Sequence, residues 1–399
     1  MNRTVIFSLT IGLILFAAIE GASYLTGKFI FPTSMIFQPS FFPVEKADLE
    51  ALYDEYLEYR DPVLGWPSKK DEKRNRDKSG SRSNPHFSYI AGIDNCISIY
   101  GDSYTWSSGV KQKYAWSNVL SEFLNCRVGN FGVGGYGSDQ AYLRYLKNAD
   151  DHAPIVFLNH LSENIMRNVT QFRTLTNGYD SEIKPVDFKP RFILDDSASL
   201  QLIDLPTFDR KDFPDLLANP EKYLTHEYFL PGGDTGLVRL SFPFSWSLAS
   251  AMGHFHIRAW LEDKPWFTDF YEPDHPAHGL EITTKILLLF RKTALDRGQI
   301  PIITVIPTGL DLIYYNKYGL WPYQNLLDQL TENGIDVLNF GDGIIERLGG
   351  NDPYLLFGKR DEHYNEQGYR YIAEIAFAEI NTRGLIPDST GPSETRPDH

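Results

Sequence analysis

The sequence predicts an α/β protein built on a parallel sheet, and two observations carry that prediction. Continuous apolar runs of strand length alternate with amphipathic helical stretches, the pattern of strands covered on both faces by crossover helices. The alternation runs from about residue 91 to 165, fails up to about Gly279, and then resumes. One sheet is therefore assembled from two separated lengths of chain. With 399 residues, 42% of them hydrophobic and 14% aromatic, the chain has the material for a large core. Acids exceed bases to give a formal charge of −14, which argues against a nucleic-acid partner.

The elements follow in order. Residues 5–25 read VIFSLTIGLILFAAIEGASYL, apolar except for Ser8, Thr10, Glu20 and Ser23, behind a start carrying Arg3. At about 1.5 Å per residue this run crosses a hydrocarbon layer of about 30 Å. Residues 1–28 are therefore expected to form an uncleaved signal-anchor. A cleaved signal peptide comes second, since only Ser23 behind Gly21 offers a small-x-small site, and a buried hydrophobic helix third. Arg3 on the cytoplasmic side places the remaining chain outside the cytoplasm, on the periplasmic or extracellular face.

Residues 29–90 read as a linker and N-terminal extension. They hold one helical stretch, KADLEALYDEYLEY, whose Leu49, Leu52, Tyr53 and Leu57 share a side. The basic, Gly- and Ser-containing run from Lys69 to Arg82 reads as a solvated linker, with contact to anionic headgroups or glycans as the alternative. Cys96 and Cys126 are the only cysteines, too few for a Cys-rich zinc site. Each precedes a strand-like run, so one bridge or two buried thiols are both open.

The sheet region, 91–165 and 281–385, begins with strand NCISIY, a helix around Ala115 to Phe123, strand CRVGNF, a helix around Asp139 to Lys147 and strand PIVFLNHL. It resumes with helix EITTKILLLFRKTALDRG, strand IPIITVIP, a helix around Tyr323 to Glu332, strand IDVLNF and the closing helix EQGYRYIAEIAFAEI. Between them, 166–280 reads as an insertion or cap, with a hairpin in PRFILDDSASLQLIDLP. Its Trp246, Trp260 and Trp266 are expected in packing, with stacking on sugar rings as the alternative. The tail 386–399 reads as disordered.

The chemistry concentrates beyond the carboxyl ends of the strands, where such sheets place their sites. The first strand exits into GDSYT, so Ser103 is either a helix cap or a nucleophile. The second exits into NFGVGGYGSDQ, whose Gly132, Gly134, Gly135 and Gly137 permit close approach and free N–H groups, or simply a tight turn before a helix capped by Ser138. The third exits into HLSENIMRN, where Asn164 offers a neutral amide donor, while His160 belongs to the core. Before the closing helix comes GKRDEHYNEQGY, in which Asp361 can orient His363. The pair Asp274 and His275, with His278, is a decoy on the wrong side of a sheet helix. His254 and His256 lack the further ligands a zinc site requires. No metal and no cofactor are expected.

These four blocks together resemble the SGNH, or GDSL-type, hydrolase family over about residues 91–165 and 281–385. The resemblance implies a flavodoxin-like three-layer α/β/α sandwich and a serine esterase. Ser103 is then the nucleophile, His363 its base and Asp361 the orienting acid, with an oxyanion hole from the Ser103 and Gly135 N–H groups and Asn164. DPVLGW, the KPRFIL hairpin and the apolar N-terminus look like the family's larger bacterial membrane-anchored members. One block departs: Ser162, Glu163, Asn164 and Ile165 stand where the family has Gly-x-Asn-Asp, and Glu163 is expected to point away from an oxyanion. The expected substrate is an acyl ester, acetyl in particular, on a cell-envelope glycan. An O-acyltransferase using the same triad and a non-catalytic envelope binding protein are the alternatives.

Overall fold

The computed structural model describes residues 3–31, 35–37, 46–67, 75–177, 186–233, 235, 237–358 and 363–385. The tail from 386 and the start of the basic run, 68–74, lie outside them. Two compact units emerge, each assembled from separate lengths of chain.

One unit, 67–168 with 194–201 and 270–399, holds a five-stranded parallel sheet. Its strands are β1 (Ile97–Tyr100), β2 (Val128–Asn130), β3 (Ile155–Leu161), β4 (Ile300–Ile306) and β5 (Leu338–Asn339), in the order β2-β1-β3-β4-β5. Ile97 is paired with both Val128 and Ile155, and β3 runs alongside β4 from Ile155↔Ile300 to Leu161↔Ile306. This is the flavodoxin-like order, in which the chain reverses direction across the sheet between β2 and β3. Every residue of β1 and β3 is buried, as apolar runs without alternation demand.

Helices pack in two groups. The Trp116–Leu124 and Glu366–Thr382 helices meet through Phe123 and Phe377, and the Ser138–Lys147 and Gly279–Asp296 helices through Tyr145 and Phe290. Cys96 and Cys126, just ahead of β1 and β2, are joined by a disulfide with their Cα atoms 6.1 Å apart. Two helices of more than one turn in the sheet unit escape the sequence reading, Gly309–Tyr318 and Phe340–Leu348. The second cuts β5 to two residues, because the Asn339 side chain accepts from Gly341 N at 3.1 Å and starts a helix inside the apolar run.

The solvated-linker reading fails for 75–82. Arg76 and Arg82 both lie over the Trp106 ring, at 4.3 and 4.7 Å from its centroid. Arg82 also donates to the carbonyls of Trp106, Ser107 and Val110, and Arg76 to that of Gly132. Guanidinium groups can stack on an indole and fork to carbonyls at once, so basic composition here builds packing.

The other unit, 1–66 with 169–193 and 202–269, contains the 27-residue helix Arg3–Phe29, long and apolar enough to span a membrane. The Lys46–Tyr59 helix buries Leu52, Tyr53 and Tyr56 while Leu57 is exposed. Tyr56 takes the inward place because Phe188, Phe208 and Phe213 gather around its ring. The buried Glu227 carboxylate accepts from the N–H groups of Gln171, Phe172 and Phe229 and from the Thr170 hydroxyl. A hairpin of Arg191–Leu194 and Leu200–Ile203 falls where the sequence indicates. Trp246 and Trp260 depart from the packing expected of them, at 72% and 77% exposed.

Candidate active site

The site lies within the sheet unit, at the carboxyl edge of β1, β2, β3 and β4. After β1 the chain turns through Gly101 and Asp102 into a short helix, Ser103–Trp106. Asp102 caps that helix, its Oδ1 accepting from Tyr104 N at 2.9 Å and Thr105 N at 3.4 Å. The capping role is thus taken by the preceding aspartate, and the Ser103 hydroxyl is left for another partner. Thr105 is tied to Asn159 on β3 and to Asn130 on β2, which fixes the helix to three strand ends.

That partner is His363. Its Nε2 lies 2.8 Å from Ser103 Oγ, although 260 residues separate the two in sequence. The histidine is placed by its flanks: Gly358 N donates to its carbonyl, and Phe357 and Tyr364 form an antiparallel bridge. The Tyr364 hydroxyl donates to Pro307 O at 2.8 Å, pinning the segment to the exit of β4. The Tyr104 ring lies 4.8 Å from the imidazole. Asp361, the expected orienting acid, lies outside the described residues. The rival histidines His275 and His278 sit in the turn leading to the Gly279–Asp296 helix.

The glycine block after β2 packs closely. A Cβ on Gly132 would stand 2.5 Å from Trp106 N and 2.9 Å from Asp102 O, so only glycine lets this turn approach the Ser103 helix. Gly135 adopts φ +79°, the left-handed region. The alternative in which Ser138 caps the following helix does not hold, because its hydroxyl bonds His160 Nδ1 at 2.8 Å. His160 also bonds the Tyr271 hydroxyl, and burial drives its pKa down to about 3, so it is a neutral core histidine.

Asn164 opens the turn after β3, and its amide has one occupied and one unoccupied end. Oδ1 accepts from Arg167 Nη1 at 2.9 Å, while Nδ2 is buried without a hydrogen-bond partner. A buried, unpartnered amide donor is rare and costs roughly 1–3 kcal/mol, which fits a group kept for a ligand or a transient charge. Glu163 is held by Arg167 in an i,i+4 ion pair.

Arg167 is the residue that the sequence reading missed. Its buried Nη1 also donates to Asp102 Oδ2 at 3.0 Å and to Tyr136 O at 3.1 Å. One guanidinium therefore ties the serine turn, the glycine block and the asparagine turn together. Its spacing, four residues after Glu163 and three after Asn164, is the signal that could have found it. Burial pushes the Asp102 carboxyl up and the Arg167 guanidinium down, and each opposes the shift of the other.

No protein-family model and no curated protein matches the chain. Among solved structures it is similar to a member of the lipolytic G-D-S-L family from Veillonella parvula DSM 2008, at 15% identity and TM-score 0.35 over 72% of this chain and 98% of that one. It is also similar to a protein assigned to the same family from Desulfitobacterium hafniense DCB-2, at 12% identity and TM-score 0.34 over 71% and 97%. A protein from Lactobacillus plantarum stands at 10% and 0.34 over 73% and 98%. The four residue blocks, the strand order and the Ser103–His363 pair make this chain similar to the SGNH, or GDSL-type, hydrolases.

Proposed function

We propose that the chain is an extracytoplasmic, membrane-anchored serine esterase that hydrolyses an acyl ester, with an acetyl ester on a cell-envelope glycan as its substrate. The observation that carries the reading is the 2.8 Å contact between Ser103 Oγ and His363 Nε2 at the sheet's carboxyl edge. An unpartnered Asn164 Nδ2 in the turn after β3 supports it. The apolar Arg3–Phe29 helix supports the anchor, and an anchored chain meets the glycans outside the membrane.

His363 Nε2 takes the Ser103 proton as Oγ attacks the carbonyl carbon, and the carbonyl oxygen becomes an oxyanion held by Asn164 Nδ2–H and the N–H groups of Ser103 and Gly135. The tetrahedral adduct collapses as the imidazolium returns that proton to the departing alcohol, leaving an acyl-Ser103. Water, deprotonated by the same nitrogen, attacks the acyl carbon and releases the acid and free serine. The family resemblance assigns to Asp361 the role of orienting the imidazole and stabilising the imidazolium.

Incubation with a fluorophosphonate, followed by peptide mapping, tests the reading. Covalent phosphonylation at Ser103, absent in His363→Ala, is expected. An unmodified Ser103 after prolonged exposure favours a binding protein without activity. Labelled acetyl recovered on a glycan acceptor rather than in water would make the chain an acyltransferase.

A further inference from the structure

Glu20 lies in the outer part of the apolar helix Arg3–Phe29, and it is 5% exposed on a helix where only Gly27 is buried besides it. A carboxylate in a membrane-spanning segment costs about 3 kcal/mol at mid-membrane, less toward the surface, and such residues find partners inside the protein. The partner is the start of the helix Phe244–Ala251. Glu20 Oε2 accepts from Phe244 N and from Ser245 N, the latter at 3.3 Å, and Oε1 accepts from the Ser245 hydroxyl. The carboxylate thus caps that helix, where its free N–H groups and dipole favour an anion.

The contacts continue along the same side. Phe16 and Phe242 lie with ring centroids 6.0 Å apart, and Tyr24 and Phe244 5.0 Å apart. At Gly27 a Cβ would stand 2.7 Å from a Leu240 methyl, so the two segments touch closely there as well.

Depth follows from this register. Should the hydrocarbon end at Leu25, where the apolar run stops, Glu20 lies about 8 Å and Phe16 about 13 Å below that surface at about 1.5 Å per residue. Phe242, one ring away from Phe16, shares that depth. It is 64% exposed, and Trp246, one turn further on, is 72% exposed.

Backbone at such depth must satisfy its polar groups internally, and the N–H groups from Phe244 to Ser247 do so. Pro243 has no N–H. Glu20 takes the next two. Ser247 Oγ accepts from Ser241 N at 3.2 Å and lies 2.9 and 3.1 Å from the carbonyls of Ser241 and Arg239.

We infer that residues 242–247 form a second membrane-embedded element, seated beside the anchor in the outer half of the bilayer with Phe242 and Trp246 facing lipid and Leu248 back at the level of Gly27. The inference rests on the reading of Arg3–Phe29 as a membrane span. The unit that carries the anchor would then be held at the surface through two elements rather than one.

The test uses the full chain in phosphatidylcholine vesicles. The chain's two cysteines are bonded to each other, so one introduced cysteine carries one nitroxide. Labels at Leu13→Cys, Trp246→Cys, Phe242→Cys and the surface site Lys292→Cys are compared by collision with oxygen and with a water-soluble nickel chelate. The oxygen-to-nickel ratio at 242 and 246 is expected to lie below that at 13, with 242 above 246, and to exceed that at 292 several-fold. A lipid-like 13 with a water-like 246 and 242 overturns the second element while leaving the anchor. A water-like 13 overturns both. Shielding of 246 and 242 from both agents replaces lipid with a protein partner and overturns the inference.

Discussion

Arg167 Nη1 donates to Asn164 Oδ1 at 2.9 Å, and that bond fixes which end of the amide is left over. With the oxygen occupied, the amide nitrogen is the only group Asn164 can offer the site, and it is the buried atom without a partner. Donor orientation in the proposed oxyanion hole is therefore set by a residue outside the family's blocks.

Arg167→Lys tests this. An ammonium has one nitrogen, so it cannot hold Asp102, Tyr136 and Asn164 as Nη1 does while also holding Glu163 as Nη2 does. The expected result is a fall in kcat of about 10- to 100-fold with KM little changed, and retention of the thermal transition within a few degrees. A proportionate loss of folded protein with unaltered kcat per folded molecule would make Arg167 merely structural.

Asn164→Ala removes the donor itself. Loss of one oxyanion donor costs about 10²–10³ in kcat. Steady-state kinetics on a short-chain acyl ester are expected to show that loss, while phosphonate labelling of Ser103 persists at a reduced rate.

His160 makes stability depend on pH. Its folded pKa is depressed to about 3 by burial, below an unfolded value near 6.5. Between these values the unfolded chain binds a proton that the folded chain refuses, so stability falls as pH drops from about 6.5, approaching about 1.4 kcal/mol per pH unit. Denaturant titrations at several pH values are expected to show that slope, and His160→Gln to remove it.

The Cys96–Cys126 bond closes a loop across 30 residues at the amino ends of β1 and β2. Loop-closure arithmetic gives about 3 to 4 kcal/mol of stabilisation for that length. Reductant is expected to lower the unfolding midpoint accordingly, and the double variant Cys96→Ser, Cys126→Ser to be insensitive to it.

Much of this architecture is legible in the residues, and the failures have physical causes. The short apolar stretches of ISIY and PIVFLNHL, which show no period-two alternation, mark strands covered on both faces. The same cue overextends β5, where Asn339 captures Gly341 N and turns an apolar run into a helix. Composition misleads at Arg76 and Arg82, whose charge suggests solvent while their planar heads stack on Trp106. Trp246 is expected in packing because of its size, yet it is 72% exposed. Ser103 and His363 stand out as blocks in sequence, whereas Arg167 acts through two long-range contacts, to Asp102 and Tyr136, and shows in sequence only through its spacing from Glu163 and Asn164.

The most direct measurement is the kcat/KM of Ser103→Ala and His363→Ala beside the unaltered chain on a short-chain acyl ester. A loss of about 10³-fold or more in each, with folding retained and no further loss in the double variant, is the predicted outcome for two groups acting as one unit. Turnover at the parental rate in either variant would contradict it.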